Sequence, residues 1–495
     1  MDDTELPDIV VVVMDCVRTK EFNDAVDRDI AGLADLRTES VSFRSAASVA
    51  PWTLPAHASL FSGLYPWEHG CHGKGVLQLP PQITRIPQWL KPLGYRTYSV
   101  SGNPIIGASY GFLDGFDRAA WGEWWERAYR VLEAPPNMYE GPQPPSRVAT
   151  APSLPRRVAR TFTTAAQRTP FTLALDDSLL HHLKQMDPEV SGSLNPWIEP
   201  TLQRWLKTDG DGAPTFSFVN FIDAHEPYLN PGNGSSKPYQ WWKSLRIPQD
   251  SLALLSGEFE LTDEDSELLR NMYQNSVQRL ARRVGRLVQF LKGRGRWRNT
   301  LFLLTSDHGQ AFGEGGVVWH GLRADEEELR VPLWIKFPGD IRPASQGVGW
   351  ASPLDAAATI LQATGQPHAG LPHSIPLQEL TSRERPEPLL AASDGVTWNA
   401  PLCARLSSAR VADLDRIFGA GYLGDSKVII DVGTGSTRAY DIAADPGCHN
   451  DTWPAVRTRM ETLVSLARAA GLAVLKSPVP AHSVVEDRLH AWGYM

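Results

Sequence analysis

The chain has 495 residues, 42% of them hydrophobic, which suffices for one large core and a smaller second one. Its formal net charge is −8, with acids and bases interspersed, so neither a nucleic-acid groove nor another polyanionic partner is indicated. The acidic start does not read as a signal peptide, and no apolar run is long enough to span a bilayer.

The elements follow in chain order. A continuous apolar run at residues 9–14 predicts a buried strand, as do 96–101, 215–222 and 300–305. A proline-rich stretch at 134–157 reads as a loop or lid. A helix is expected over 263–291, where Leu269, Met272, Tyr273, Val277, Leu280, Val284, Leu287 and Leu291 recur at helical spacing. A fifth strand at 331–337 ends at Pro338-Gly339. Beyond residue 386 a strand at 427–432 and a helix at 453–470 suggest a small α+β subdomain. Strands alternating with helices predict an α/β fold, with a large, mainly parallel sheet sandwiched by helices. The expected division is a catalytic domain at 1–385, with an insert at about 107–214, and a subdomain at 386–495. Four scattered cysteines, Cys16, Cys71, Cys403 and Cys448, include no close pair, and a reducing cytoplasm is the expected setting. Tryptophans 121, 124, 125, 197 and 205 serve packing or line an aromatic pocket, and packing is the safer expectation.

Ligands of open parallel sheets bind beyond the carboxyl ends of the strands. Asp15 ends the first strand, and Asn103 follows the second. Asp223 and His225 follow the third, and Asp307 and His308 the fourth. A single acid in such a place usually caps a helix. Four clusters, two with histidine, point to a divalent ion, and the donors do not choose among zinc, manganese, calcium and magnesium. Thr53 precedes Pro55 at a predicted helix start that Gly63 would end. It either caps that helix or presents a hydroxyl where free N–H groups would hold an anion, and from these residues alone capping is the commoner role.

The segment Ala50-Pro51-Trp52-Thr53-Leu54-Pro55-Ala56-His57-Ala58-Ser59-Leu60-Phe61-Ser62-Gly63, continuing to Tyr65-Pro66-Trp67-Glu68-His69-Gly70, resembles the signature of the sulfatase family within the alkaline-phosphatase superfamily. In the same order, Val12-Val13-Met14-Asp15-Cys16-Val17-Arg18 resembles its first metal strand, and Phe221-Ile222-Asp223-Ala224-His225-Glu226-Pro227-Tyr228 its substrate motif. Thr305-Ser306-Asp307-His308-Gly309 resembles the second metal motif, and Val318-Trp319-His320-Gly321 with Arg330-Val331-Pro332-Leu333 the following loop and strand. Tyr440-Asp441-Ile442-Ala443-Ala444-Asp445-Pro446 and Asn450 resemble the C-terminal close.

The resemblance implies an alkaline-phosphatase-like fold and one divalent ion on Asp15, Thr53, Asp307 and His308, with Thr53 as nucleophile. His225 would contact a substrate oxygen or leaving group. His320 would bind the transferred group, protonate the leaving oxygen or join the metal shell. Asn103, Arg18 and His57 are substrate-binding candidates. Arg18 could equally form an ordinary salt bridge, and His57 could be merely solvent-exposed. Lys74 has no assigned role.

Two departures stand out. Sulfatases carry Cys or Ser, oxidised to formylglycine, where this chain has Thr53, and His57 stands where Arg would be. A threonine would oxidise to a ketone, so no formylglycine is expected. The plain hydroxyl resembles instead the nucleophile of phosphoethanolamine transferases and related phosphodiesterases. The second departure is Cys16, in place of a second acid, which resembles phosphonate monoester hydrolases. Cys16 is expected to be a buried neighbour of the ion and not a ligand, and Asp223, His225 and His320 are the candidates for any second ion. The expected reaction is hydrolysis of a small-molecule phosphate or phosphonate ester through phosphothreonine. A soluble transferase moving a phosphoryl or sulfuryl-type group to a small-molecule alcohol, and a sulfatase-like hydrolase without formylglycine, are the alternatives. The expected partner is the small-molecule ester, with neither nucleic acid nor membrane, and self-association into a homo-oligomer is left open.

Overall fold

A computed structural model describes residues 5–28, 30–122, 137–140, 195–210, 212–226, 228, 247, 254–256, 259–314, 317–339, 346–396 and 400–476. Most of the proline-rich stretch 134–157, together with Trp124 and Trp125, lies outside these residues.

In chain order the first strands are β1 (Asp8–Met14), β2 (Val41–Phe43), β3 (Arg96–Ser101), β4 (Arg118–Trp121), β5 (Asn137–Glu140), β6 (Thr215–Phe221) and β7 (Thr300–Thr305). A two-stranded ribbon follows, β8 (Ala311–Phe312) with β9 (Val318–Trp319), and then β10 (Leu333–Lys336) and β11 (Gln346–Gly347). Nine of these strands form one sheet in the order β11-β2-β10-β7-β1-β6-β3-β4-β5. The central five, β7-β1-β6-β3-β4, run parallel, while β10 and β5 pair antiparallel to their neighbours. The described part of the insert belongs to the main sheet, because β4 and β5 extend it.

The central strands read as unbroken apolar runs because both sheet faces are covered. Every residue of β1 is buried, and its side chains alternate between two cores. Ile9, Val11 and Val13 face one core with Phe218, Leu303 and Phe61. Val10, Val12 and Met14 face the other with Val219, Phe302 and Leu304. That second face is covered by the long helix Asp263–Gly293, through Met272, Tyr273, Leu280, Val284 and Leu287. Its start is set by Thr262, whose hydroxyl accepts from Asp265 N while Asp265 reaches back, with Asp263, Glu264 and Asp265 favouring the dipole's positive end. Trp121 and Trp205 are buried in these cores, so both are packing residues.

The chain then forms a second, antiparallel sheet of β12 (Leu389–Ala392), β13 (Phe418–Leu423), β14 (Ser426–Asp431) and β15 (Thr437–Asp441). Val428 and Ile430 pack on Met460, Leu463 and Ala467 of the last helix, Trp453–Leu475. The other face, with Leu389, Tyr422 and Ile429, packs on Ala47, Tyr65 and Trp350. Among the described residues no helix is long and apolar enough to cross a membrane.

Candidate active site

Parallel pairing puts the carboxyl ends of β1, β3, β6 and β7 on one rim, and the site is built there. Asp15 leaves β1 with its amide held by the Phe221 carbonyl at 2.8 Å. Cys16 then turns the chain in a left-handed conformation, φ 63°, which is uncommon for a residue with a side chain. Ser306, at the end of β7, fixes this turn: its hydroxyl accepts from Val17 N at 2.8 Å and lies 2.5 Å from the Met14 carbonyl. Asp307 Oδ1 accepts from the amides of Cys16, at 3.2 Å, and His308, at 2.9 Å. Gly309 is required next, because a Cβ there would run into the Glu327 carbonyl.

The nucleophile candidate comes from helix α1, Thr53–Ser62, which ends on Gly63 in the left-handed conformation. Thr53 is its first residue, after the extended Trp52. The amides of Thr53 and Leu54 thus have no acceptor within the helix and suit an anion. Trp52 is held from a distant part of the chain: its indole N–H lies 2.9 Å from Asp394 Oδ2, which also accepts from Gly73 N at 2.7 Å.

Thr53 Oγ1 lies 3.3 Å from His308 Nε2 and 3.4 Å from Asn103 Nδ2. Asn103 also donates to Asp15 Oδ2 at 2.8 Å. His308 Nδ1 donates to the Gly309 carbonyl at 2.8 Å, which leaves the Nε2 lone pair facing Thr53. Burial holds the His308 pKa down at about 4, against the pull of Asp15, so the ring is neutral and can donate a lone pair. The structure thus brings Asp15, Thr53, Asn103, Asp307 and His308 into one buried group.

These residues fit a divalent cation. Asp307 Oδ2 is buried without a hydrogen-bond partner and lies 3.4 Å from His308 Nε2. Burial, and then the Asp15 charge, push the Asp307 carboxyl well above its usual range. Two carboxylates in so dry a place call for a positive charge between them.

Several expectations need correction. Arg18 does not reach toward an anion: its guanidinium binds Glu314 at 3.0 Å and Glu21 at 3.4 Å, the ordinary salt bridge. His57 is fully buried under Thr53 rather than exposed. Its Nδ1 donates to the Thr53 carbonyl at 3.0 Å and its Nε2 accepts from Asn220 at 3.2 Å, so it supports the start of α1. Asp223 is no candidate ligand, because Arg283 of the long helix engages both its oxygens, at 2.7 and 3.0 Å. Cys16 is buried, as expected, but its thiol is among donors: Sγ lies 3.3 Å from Asp15 Oδ1, 3.8 Å from His320 Nδ1 and 3.9 Å from His308 Nε2. Lys74 pairs with Asp415 at 2.7 Å. His69 braces α1 through Ser59 at 3.1 Å.

His225 and His320 stand beside this group. The rings of His308 and His320 are 4.5 Å apart, and those of His320 and His225 5.1 Å. Burial pushes the His320 pKa well below its usual value, helped by the neighbouring imidazoles. Burial also opposes charge on His225, but Glu226 and Asp15 outweigh it and raise its pKa. Sequence reasoning missed three partners: Asn220, Glu226 and Gln310. Asn220 was detectable as the one amide inside the apolar strand Thr-Phe-Ser-Phe-Val-Asn-Phe.

A mainly parallel sheet whose rim gathers two carboxylates, an imidazole and a hydroxyl at a helix start defines a hydrolase of the alkaline-phosphatase superfamily. The chain belongs to the sulfatase family, whose model, described as Sulfatase, matches residues 7–366. It is 25% identical over 398 residues to an ulvan-active sulfatase of Formosa agariphila, covering 78% of this chain and 67% of that protein. It is 30% identical over 185 residues to the multifunctional alkaline phosphatase superfamily protein PehA of Trinickia caryophylli, covering 31% of this chain and 35% of the relative. Matches to several other curated relatives likewise span only about a third of their length. The phosphonate monoester hydrolase of Agrobacterium radiobacter shares the fold, with a TM-score of 0.61 at 18% identity over 94% of this chain and 95% of that one.

Proposed function

We propose that this enzyme hydrolyses small phosphate or phosphonate esters through a covalent intermediate on Thr53. The observation that carries the reading is the placement of Thr53 Oγ1 at a helix start, 3.3 Å from the bare nitrogen of His308. Asp15, Asp307 and His308, with Thr53 itself, would hold one divalent ion, which would polarise the ester and favour the ionised hydroxyl. Threonine cannot supply a hydrated aldehyde, so Thr53 acts as a plain alcohol. Its oxygen forms a bond to phosphorus as the ester P–O bond breaks, and the leaving oxygen takes a proton. His225 suits that donation, since Glu226 and Asp15 favour its charged form. Asn103 and the first amides of α1 hold the phosphoryl oxygens. Water then attacks phosphorus, the bond to Thr53 breaks and free phosphate or phosphonate leaves.

A second reading, direct hydrolysis of a sulfate ester by Thr53, is favoured by the names of the relatives, among them the ulvan-active sulfatase and a choline-sulfatase of Rhizobium meliloti. Mass spectrometry of the Thr53 peptide after quenching with aryl phosphate, phosphonate and sulfate esters separates the two. Phosphorylated Thr53 is expected. Turnover of a sulfate ester, with no label from any phosphorus ester, would overturn the first reading in favour of the second.

A further inference from the structure

The run into α1 is anchored residue by residue. The amides of Ala47 and Ser48 donate to the carbonyls of Ala351, at 3.0 Å, and Leu329, at 2.8 Å. The Val49 carbonyl accepts from Ala392, the last residue of β12, at 3.2 Å. The last anchor before Thr53 is a side chain: the Trp52 indole donates to Asp394, two residues past β12, at 2.9 and 3.0 Å. We propose that Asp394 is a positioning residue for the reaction, setting the place of Thr53 Oγ1 through the Trp52 indole. The inference rests on the nucleophilic role of Thr53 proposed above and adds the residue that aims it.

Trp52 is extended, φ −154° and ψ 166°, immediately before helical Thr53. Rotation of its backbone would swing the Thr53 peptide and with it the hydroxyl, which lies 3.3 Å from His308 and 3.4 Å from Asn103. An indole buried in the core and held at its N–H removes that freedom. The same side chain lies against the loop that carries His320: a Cβ on Gly321, φ 88°, would come within 3.4 Å of Trp52 Cβ. Just beyond Asp394, Val396 packs in one apolar cluster with Trp319 and Leu322, so the segment that grips Trp52 also packs on that loop.

The grip is ionic. Asp394 is 2% exposed, and burial lifts its carboxyl to about 6 against the Gly73 amide, the indole and Lys74, so it is charged at neutral pH. Hydrogen bonds to a charged acceptor are roughly twice as strong as neutral ones. Asp394 Oδ2 also accepts from Gly73 N at 2.7 Å, and the adjacent Lys74 pairs with Asp415 at 2.7 Å, so the loop that follows α1 is drawn to the same place. An apolar residue could fill this space without desolvating a charge; the carboxylate supplies direction.

The test is kinetic and uses the whole chain, with an aryl phosphonate ester and an aryl sulfate ester as substrates. Trp52→Phe keeps a ring and deletes the N–H, while Asp394 stays on Gly73. It should lower kcat by about 10²-fold, the cost of misplacing a reacting group by about 1 Å, with KM within about threefold of wild type. Asp394→Asn, which turns an N–H toward one of the two donors, should act in the same direction. The double variant should be no slower than the slower single one, because both changes remove one bond. Thermal midpoints measured alongside keep every assay on folded protein. An unchanged kcat in Trp52→Phe would overturn the proposal. So would a raised KM at unchanged kcat, or losses that multiply in the double variant. Thr53→Ala, run in parallel, separates the two claims. Full activity there would remove the nucleophile and this inference with it, whereas an inactive Thr53→Ala beside a normal Trp52→Phe would remove this inference alone.

Discussion

The two halves of the pocket are built from different chemistry. On one side Asp15, Asp307 and Thr53 offer oxygen, and the backbone amides of Cys16 and His308 hold Asp307 in place. On the other side Cys16, His225 and His320 bring sulfur and nitrogen; the Glu226 carbonyl holds His225, and a side-chain relay from Glu226 through Gln310 holds His320. Backbone support tolerates substitution of its neighbours, because any residue supplies an amide. Side-chain support does not, because each member can be deleted. The oxygen half should therefore fail only when its own ligands change, and the other half should fail through its supports as well.

The harshest way to break the comparison is at Thr53, the proposed nucleophile. Thr53→Ala should lower kcat by about 10⁴-fold or more, as removal of a nucleophile does elsewhere, and abolish any covalent label. Steady-state kinetics with a phosphonate ester, plus mass spectrometry, check this. Asp307→Asn comes next. It should weaken metal binding at the oxygen half by more than the about 10–100-fold that outer partners cost, read by calorimetric titration. Gln310→Ala, which frees His320, should lower kcat/KM by about 10–100-fold and leave metal affinity at the oxygen half unchanged. A matching loss of metal affinity would mean that the two halves are one unit.

The smallest effect concerns the brace under the oxygen half. Burial, with a contribution from His72, lowers the His69 pKa to about 3, and burial lowers that of His72 to about 4, both from 6.5. The unfolded chain therefore binds more protons than the folded one between these values. The stability these rings contribute is present above pH 6.5 and is lost as pH falls toward 3. Thermal unfolding of the metal-free protein should show a midpoint that falls across that window, and His69→Gln should make the fall shallower. An unchanged slope would show that His69 is not held neutral by its burial.

The strand ends were legible in the sequence because a parallel sheet covered on both faces demands unbroken apolar runs. β3 and β7 have the expected bounds, 96–101 and 300–305, and β1 begins one residue earlier than expected, at Asp8. The residues that follow those runs were legible for the same reason, since a carboxylate after a buried strand lands on one rim. The sequence could not show β4 and β5, which are short and separated from β3 by loops, or that the insert widens the sheet.

Sequence by itself determined the class of the fold, the order of its motifs and the presence of a hydroxyl, two acids and histidines at the ends of successive strands, because local periodicity and strand direction require nothing from distant parts of the chain. Only the tertiary structure decided what each polar side chain does. Arg18 and Glu314 are about three hundred residues apart, as are Cys16 and His320, and Asp223 of the strand-end rim meets Arg283 of the long helix. Burial then set which imidazoles are neutral, and burial is a property of the folded whole that no short stretch of sequence carries.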